Sequence, residues 1–431
     1  MTQRGRHRRR RRGRALRGFL AGTALALTAA ATMISASQAT VSDAPGALKQ
    51  VEVTTALRMT EDLVPQTSLD RLSAGMGRPV GVSAVLEAGD RLLRDSADCT
   101  AAERGQLPVA PEPVTSYCWD AADTLGWRPG ALTTSGDADD DGVWGTNRVI
   151  LSGWSRAGAA ADGGFARVAF VDANDPDRLT YSWVLLAVPV SDGADFRALR
   201  SGLTGMVWYQ DKLLVTADDG DGAALYVFDM NRIQRASVDG DAVGRVAGGW
   251  SAHRARFVLP AVGTYRLGAG SPRPDTISLD RSTVPDSLVA GESTRHGGSA
   301  RLWRYALSSL PDRGGLLAAD MYGRVAATEA YRTEVEGLRG VLSRDDAWYV
   351  SQAPGADHAH GTLWRQDTEG TSAAECDGSD QHACWSEAPQ SLSYWAATGE
   401  VWSQSGRTLF AMPLASVDRA AKKQWSDDDG S

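Results

Sequence analysis

Asp137, Asp139, Asp141 and Gly142, within GDADDDGVWG (136–145), spell D-x-D-x-D-G, the opening of a calcium-binding loop. In such a loop the carboxylates at positions 1, 3 and 5 point inward, the glycine allows a sharp turn, and a backbone carbonyl at position 7 completes that side of the shell. Here position 7 is Val143. A helical calcium hand would need a glutamate at position 12, where Arg148 stands, and a hairpin version an acid at position 9, where Gly145 stands. Asn147 could assist. Two readings therefore stand: a structural Ca2+ site, or a solvated acidic hairpin turn. Asp-Gly is itself a hairpin signal and recurs in DDGDG (218–222).

A second metal candidate is DHAH, with Asp357, His358 and His360. H-x-H on a strand would put both imidazoles on one face; the alternative is a polar hairpin loop. Two charged pairs, Asp280 with Arg281 and Arg344 with Asp345, fall at inner-strand positions of the repeat described below. They are channel-facing ligand candidates, or else packed ion pairs. His296 reads as a solvated hairpin tip. There is no G-x-S-x-G nucleophile elbow and no H-E-x-x-H. Asp280 and Asp345 are the obvious inner-strand acids, with no glutamate beside them. A glycosidase needs two carboxylates flanking one bond, so no catalytic residue is assigned.

Compartment and charge come from the ends and the cysteines. Residues 1–17 carry nine arginines and no acid, an Ala-rich apolar run follows (18–36), and Ser37-Gln38-Ala39 frames a cleavage site. That is a signal peptide over 1–39, an N-terminal anchor being the alternative, with the Sec and Tat routes both open. Without those residues 36 basic side chains face 53 acidic ones, a charge of −17. Such a chain repels phosphate backbones, so nucleic acid is excluded as a partner class. Cys99, Cys118, Cys376 and Cys384 are an even set in an exported chain. Disulfides are expected, with the sequence-local pairing 99–118 and 376–384 favoured over a zinc site.

The elements that must position these residues recur. A leucine followed by an aromatic appears in LYVF (225–228), LWRY (302–305), LWRQ (363–366) and LFAM (409–412), each preceded by two shorter β-prone runs. A looser copy runs through GALTTSGD (130–137), RVILSGW (148–154) and ARVAFVDAN (166–174). Fourth strands fit at 181–190, 255–267 and 323–332, with CWSEA (384–388) completing the fourth copy. Four hairpin-linked strands per unit, at intervals of roughly fifty to seventy residues, is the pattern of a β-propeller. The fold class expected is all-β: one propeller of five four-stranded blades, or six if the N-terminal region hides more strands, with an irregular, partly helical N-terminal extension. Blades fall near 127–192, 202–267, 275–332, 337–388 and 390–417. The last lacks an outer strand, and the extension over 40–118 would supply it, PVGVSAVLEA (79–88) being one source. An amphipathic helix over 84–95, with Val85, Ala88, Leu92 and Leu93 on one face, competes for that segment. The propeller is placed at 119–417 and a disordered tail at 418–431.

YCWD (117–120), WRPGALTT (127–134) and WGTNRVILSGW (144–154), with ARVAFVD, LYVFDM, SLSYW and LFAMPL, resemble a group of secreted actinobacterial propeller proteins over about residues 117–417. The resemblance implies the fold; the group has no established enzyme activity and does not share the full D-x-D-x-D-G. The function expected is a secreted, non-catalytic binding or interaction protein, a monomer with an extracellular carbohydrate or protein ligand. The alternative is a glycosidase or lactonase-like hydrolase at the channel mouth.

Overall fold

A computed structural model of the chain describes residues 44–158, 163–218, 220, 222–293, 299–376 and 381–422. The expected signal peptide, His296 and the tail residues 423–431 lie outside these.

Alternation explains the strands. In Met206–Tyr209 and Lys212–Thr216, Trp208 and Leu213 enter one hydrophobic cluster with Val168 and Phe170, while Val207 and Leu214 enter another with Ile277 and Leu288. Successive side chains on a strand point to opposite faces, and here both faces are covered, so the runs are apolar throughout. Trp154 and Trp402 fill the space between the first and last sheets, and Tyr349 and Phe410 that between the last two.

The described strands fall into antiparallel meanders. The first is Trp127–Thr134, Val149–Arg156, Ala166–Asp172 and Thr180–Val190. The second is Met206–Tyr209, Lys212–Thr216, Ala223–Asp229 and Phe257–Leu267. The third is Thr276–Asp280, Ser287–Gly291, Ala300–Ala306 and Ala327–Thr333. The fourth is Leu338–Arg344, Ala347–Gln352, Thr362–Gln366 and Thr371–Ala373. Then come Pro389–Trp395, Glu400–Ser405 and Thr408–Pro413, whose free edge is taken by Thr115–Cys118 from the N-terminal region. The first strand of each meander packs on the first strand of the next, and the last returns to Trp127–Thr134. Radially repeated sheets around an axis make this a propeller-like fold. The outer strands of the first two meanders also pair in parallel, Phe257–Pro260 along Val184–Ala187, and so join those sheets.

The N-terminal region is a belt. Lys49–Val51 pairs with the outer strand of the third meander, Met59–Leu63 with that of the second, and Arg91–Leu92 with that of the first. Arg94–Asp95 then pairs with the closing strand Thr115–Cys118. The belt thus visits the sheet edges in the order opposite to the chain. Both expected disulfides are formed, Cys99–Cys118 and Cys376–Cys384.

Several expectations are corrected. Residues 79–88 hold a helix at Val82–Glu87, not the closing strand, because Val82, Val85 and Leu86 at helical spacing enter the first core cluster. That helix ends before Leu92, which lies in the two-residue strand Arg91–Leu92. The fourth strand of the fourth meander is Thr371–Ala373, and CWSEA is irregular. Residues 418–422 are not a disordered tail: the helix Leu414–Lys422 buries Leu414, Val417 and Ala421. Among the described residues no helix is long and apolar enough to cross a membrane.

The Cys99–Cys118 bond joins the belt to the closing strand across 19 residues, whereas Cys376–Cys384 spans 8 residues of one loop. Replacing Cys99 and Cys118 by serine should therefore cost about 2–4 kcal/mol of unfolding free energy. The other pair should cost less. Hydrogen exchange should also show lost protection in Thr408–Pro413 for the first pair alone; equal effects of both pairs would refute the role given to the belt.

Candidate functional site

The chemistry of the acidic loop is set by one helical turn. After the inner strand Trp127–Thr134, Thr134 accepts a hydrogen bond from the Gly136 N–H (3.2 Å), and Ser135–Ala138 turn helically. The turn lies tight against Trp395: a Cβ at Gly136 would come within 2.6 Å of its ring. This rotates Asp137 into the protein, where it is 3% exposed. Its Oδ2 accepts hydrogen bonds from Thr133 Oγ1 (2.6 Å) and Ser393 Oγ (2.8 Å). Thr133 Oγ1 in turn accepts the Trp208 N–H at 3.0 Å. Burial pushes the Asp137 carboxyl up to about 6, against the opposing pull of the two hydroxyls and Arg281.

Asp139 and Asp141 are exposed and turned to local backbone, accepting from the Asp140 N–H (2.8 Å) and the Val143 N–H (2.9 Å). Asp140 pairs with Arg281. Gly142 takes the left-handed turn (φ 83°), and Ser135 Oγ donates to its carbonyl. Asp137, Asp139 and Asp141 are thus not brought together: the first is a core residue, the others cap a loop. The DHAH residues do not converge either. They lie in an irregular loop, not on a strand, with Asp357 exposed and His360 Nδ1 bonded to the Trp385 carbonyl (2.7 Å). Among the described residues one trio of possible ligand atoms gathers within 4.8 Å, Cys99, Glu103 and Cys118. Its two sulfurs are already joined to each other.

The other candidates do come together. Asp280, Arg281, Arg344 and Asp345 line one cavity of about 270 Å3 with Asp137, Ser282 and Tyr394. They are supplied by the ends of the inner strands Thr276–Asp280 and Leu338–Arg344 and the turns after them. The pairing differs from that expected. Asp280 is bound by Arg304, a residue that sequence reasoning missed, and not by Arg281. Arg304 lies on Ala300–Ala306, is 5% exposed, also pairs with Glu329, donates to Ser343 Oγ (2.6 Å), and sits 4.6 Å from the Trp348 ring centre. An arginine inside the apolar LWRY run was the available signal. Ser282 adds a backbone bond to Asp280 Oδ1 at 2.8 Å. A buried ion pair is tolerated when its remaining polar atoms are satisfied in this way.

Arg281 faces two cavities. Beyond the first lies a second, of about 620 Å3, lined by Asp139, Trp144, Tyr209, Lys212 and Asp286 among others. Arg281 donates to the Asp137 carbonyl (2.7 Å) and to Asp286 Oδ2 (3.3 Å), and lies 5.3 Å from the Tyr209 ring centre. Burial, and then the bond to Asp286, push the Tyr209 hydroxyl up to about 12. Arg344 is more open: its side chain is 44% exposed, 3.7 Å from Asp345 and 4.6 Å from the Tyr394 ring centre. The cavity therefore offers cationic and hydroxyl donors, while its two buried carboxyls are already occupied by the scaffold.

No family model matches the chain, and no curated protein matches it. Among solved structures, a gluconolactonase from Xanthomonas campestris aligns at 13% identity and a TM-score of 0.30, covering 78% of this chain and 98% of that one. The hydrazine synthase of Kuenenia stuttgartiensis aligns at 13% identity and a TM-score of 0.29, covering 64% and 73%. The extracellular domains 1-2 of Drosophila semaphorin 1a align at 10% identity and a TM-score of 0.27, covering 71% and 88%. At these scores none of them bears on activity or ligand.

Two outcomes follow. The raised Asp137 value of about 6, against an ordinary 3.8, means that the folded state holds this proton more tightly than the unfolded one. Its contribution is intact below about pH 4, is lost as pH rises through about 6, and is constant above. The unfolding free energy of wild type minus that of Asp137→Asn should therefore fall by on the order of 3 kcal/mol from about pH 4 to 7. A difference that does not move with pH would place Asp137 at its ordinary value. Thermal unfolding curves in calcium and in EDTA should superimpose for wild type and Asp139→Ala; a calcium-dependent rise in wild type alone would restore the loop as a metal site.

Proposed function

We propose that the protein is a secreted, monomeric, five-bladed β-propeller that binds a small, oxygen-rich ligand at the end of its central channel, without chemistry on it. The observation that carries this is the cavity shared by Arg281, Arg344, Ser282 and Tyr394, in which the buried acids Asp137 and Asp280 are held by scaffold partners. Donors converge there from successive inner-strand ends, the geometry that fixes carboxylates or sugar hydroxyls. A cavity of about 270 Å3 suits a ligand the size of a single sugar or sugar acid better than a chain. The blade count rests on the order in which the first strands pack around the axis. Export rests on the arginine-led N-terminus and two disulfides, which belong to an oxidising compartment. The resemblance to secreted actinobacterial propellers agrees with this reading.

One observation favours the hydrolase alternative. Asp137, protonated near pH 6 at the wall of the cavity, has the character of a general acid. Its Oδ2 already accepts from the Thr133 and Ser393 hydroxyls, though, and Asp280, the other buried carboxyl, is neutralised by Arg304. Asp345, the remaining carboxylate on the cavity, is 78% exposed and lies 3.7 Å from Arg344, so it is paired at the rim and not buried opposite Asp137 as a glycosidase partner would be.

The test is a titration of the mature protein with neutral and acidic monosaccharides, followed by ligand-observed NMR. Arg344→Ala should weaken the bound sugar at least tenfold, about 1.4 kcal/mol, with thermal stability unchanged. The same mixtures, incubated with glycosides and sugar lactones, should return them intact. Turnover that disappears in Asp137→Asn would replace the binding reading with the hydrolase.

A further inference from the structure

Away from the channel end, a cavity of about 550 Å3 opens beside the first meander, lined by Trp127, Arg156, Arg167, Trp183 and Arg254, with Asp123 at its base. Its centre is Arg167. The guanidinium carbon lies 3.8 Å from the Trp127 ring centre and 3.4 Å from that of Trp183, so the cation is held between two indole faces. Nη2 donates to the Asp123 carbonyl (2.9 Å), and Nε is buried with no hydrogen-bond partner. Among the described residues no carboxylate lies within ion-pair distance of it. The nearest acid, Asp123, is already engaged: Oδ2 accepts from the Tyr181 hydroxyl and from Trp183 Nε1, both at 2.7 Å, and Oδ1 from Arg91 Nε at 3.0 Å. Burial lowers the Arg167 value to about 9, against the opposing pull of the Asp123 charge, so the group keeps its charge at neutral pH with no carboxylate in contact with it.

The opposite wall is built with strain. His253 and Arg254, both lining the cavity, have left-handed backbones, with φ of 49° and 64°. Neither is a glycine, and two such residues in succession persist only where surrounding bonds fix them. The His253 N–H donates to the Ala242 carbonyl (2.8 Å) and the Arg254 N–H to that of Gly240 (2.9 Å). The strained turn thereby brings a further arginine to the cavity that holds Arg167. Asp241 shares the Arg254 charge at an exposed position.

A buried cation without an anion is expensive, and indole faces return only part of that cost. Arginines gathered on one cavity of a chain whose net charge is −8 reverse the local sign. We infer that this cavity is a second ligand site, for an oxyanion, a carboxylate or sulfate group, which supplies the contact anion that Arg167 lacks. The planar guanidinium fork matches both groups. The group can arrive as a free inorganic ion or carried on an acidic sugar.

Trp127 and Trp183 report on the site by fluorescence. Full mature protein is titrated with sodium sulfate, sodium glucuronate and, as the neutral control, glucose, at ionic strength held constant with chloride. A saturable change is expected with at least one anion and none with glucose; response to sulfate identifies a free oxyanion as sufficient, and response to glucuronate alone identifies the acidic sugar. In an Arg344→Ala background, which removes the channel-end contribution, Arg167→Gln should weaken binding at least tenfold and Arg254→Ala severalfold. Arg254 is exposed, so its variant decides the matter if Arg167→Gln does not fold. No saturable change with either anion, or equal affinity in that background with and without Arg254→Ala together with any folded Arg167→Gln, would overturn the site.

Discussion

The open edge of the last sheet is the constraint on which the fold depends. Thr408–Pro413 ends a meander with three strands, and a sheet edge left there would expose a row of unpaired backbone donors and acceptors. Thr115–Cys118 fills it, with Leu409 opposite Tyr117 and Phe410 opposite Ser116. This is the longest-range strand pairing among the described residues and closes a large loop, so its neighbours must hold it in place. They do so from both sides: Cys118 is tied to Cys99, and Arg94 bonds Glu103 while pairing in register with Cys118. The axis then closes on the inner side, where the Leu132 N–H donates to Ser391 Oγ at 2.6 Å.

The axis itself is lined by buried hydroxyls, which fixes what can stand there. Thr133, Ser152, Ser343, Ser391, Ser393 and Ser403 are all buried near the inner strands. Small hydroxyls fit where strand ends crowd, and each buried hydroxyl needs a partner. Ser152 finds Gln404, Ser403 the Ser391 carbonyl, and Thr133 and Ser393 share Asp137. The buried acids are therefore parts of the seam between meanders before they are parts of a cavity wall. This is why Asp137 lines a cavity while its Oδ2 is already held by two hydroxyls of the seam.

The strands were legible because two buried faces produce runs such as KLLVTAD and LYVF, which no surface loop would carry. Both disulfides were legible from an expected signal peptide and the spacing of an even set of cysteines. The belt was not: Lys49–Val51, Arg91–Leu92 and Arg94–Asp95 are two or three residues long, too short for any period to show. The cavity at the channel end was half legible. Inner-strand register brought out Asp280, Arg281, Arg344 and Asp345, but the partner of Asp280 lies 24 residues away on another strand of its meander, where only contact reveals it. The aspartates of the calcium pattern are separated for a local reason. D-x-D-x-D-G requires three side chains on one side of a loop, and the helical turn Ser135–Ala138 rotates the first into the core. The Arg167 site left no mark in the sequence at all, since its residues come from seven separate segments.

The two arginine-lined cavities differ in how their charge is balanced, and that difference bears on what each can recognise. Arg281 is already bonded to the Asp137 carbonyl and to the carboxylates of Asp140 and Asp286, so a ligand there competes with internal partners and gains chiefly from geometry. Such sites discriminate by shape and by the placement of hydroxyls. Arg167 has π-faces and a carbonyl in place of a carboxylate, so a ligand there gains chiefly from charge. One scaffold thus holds a neutralised site and an uncompensated one. The net negative charge of the chain makes its selectivity sharper: a diffuse anion is repelled by the chain as a whole, and only one that fits within hydrogen-bond reach of the guanidinium offsets that repulsion.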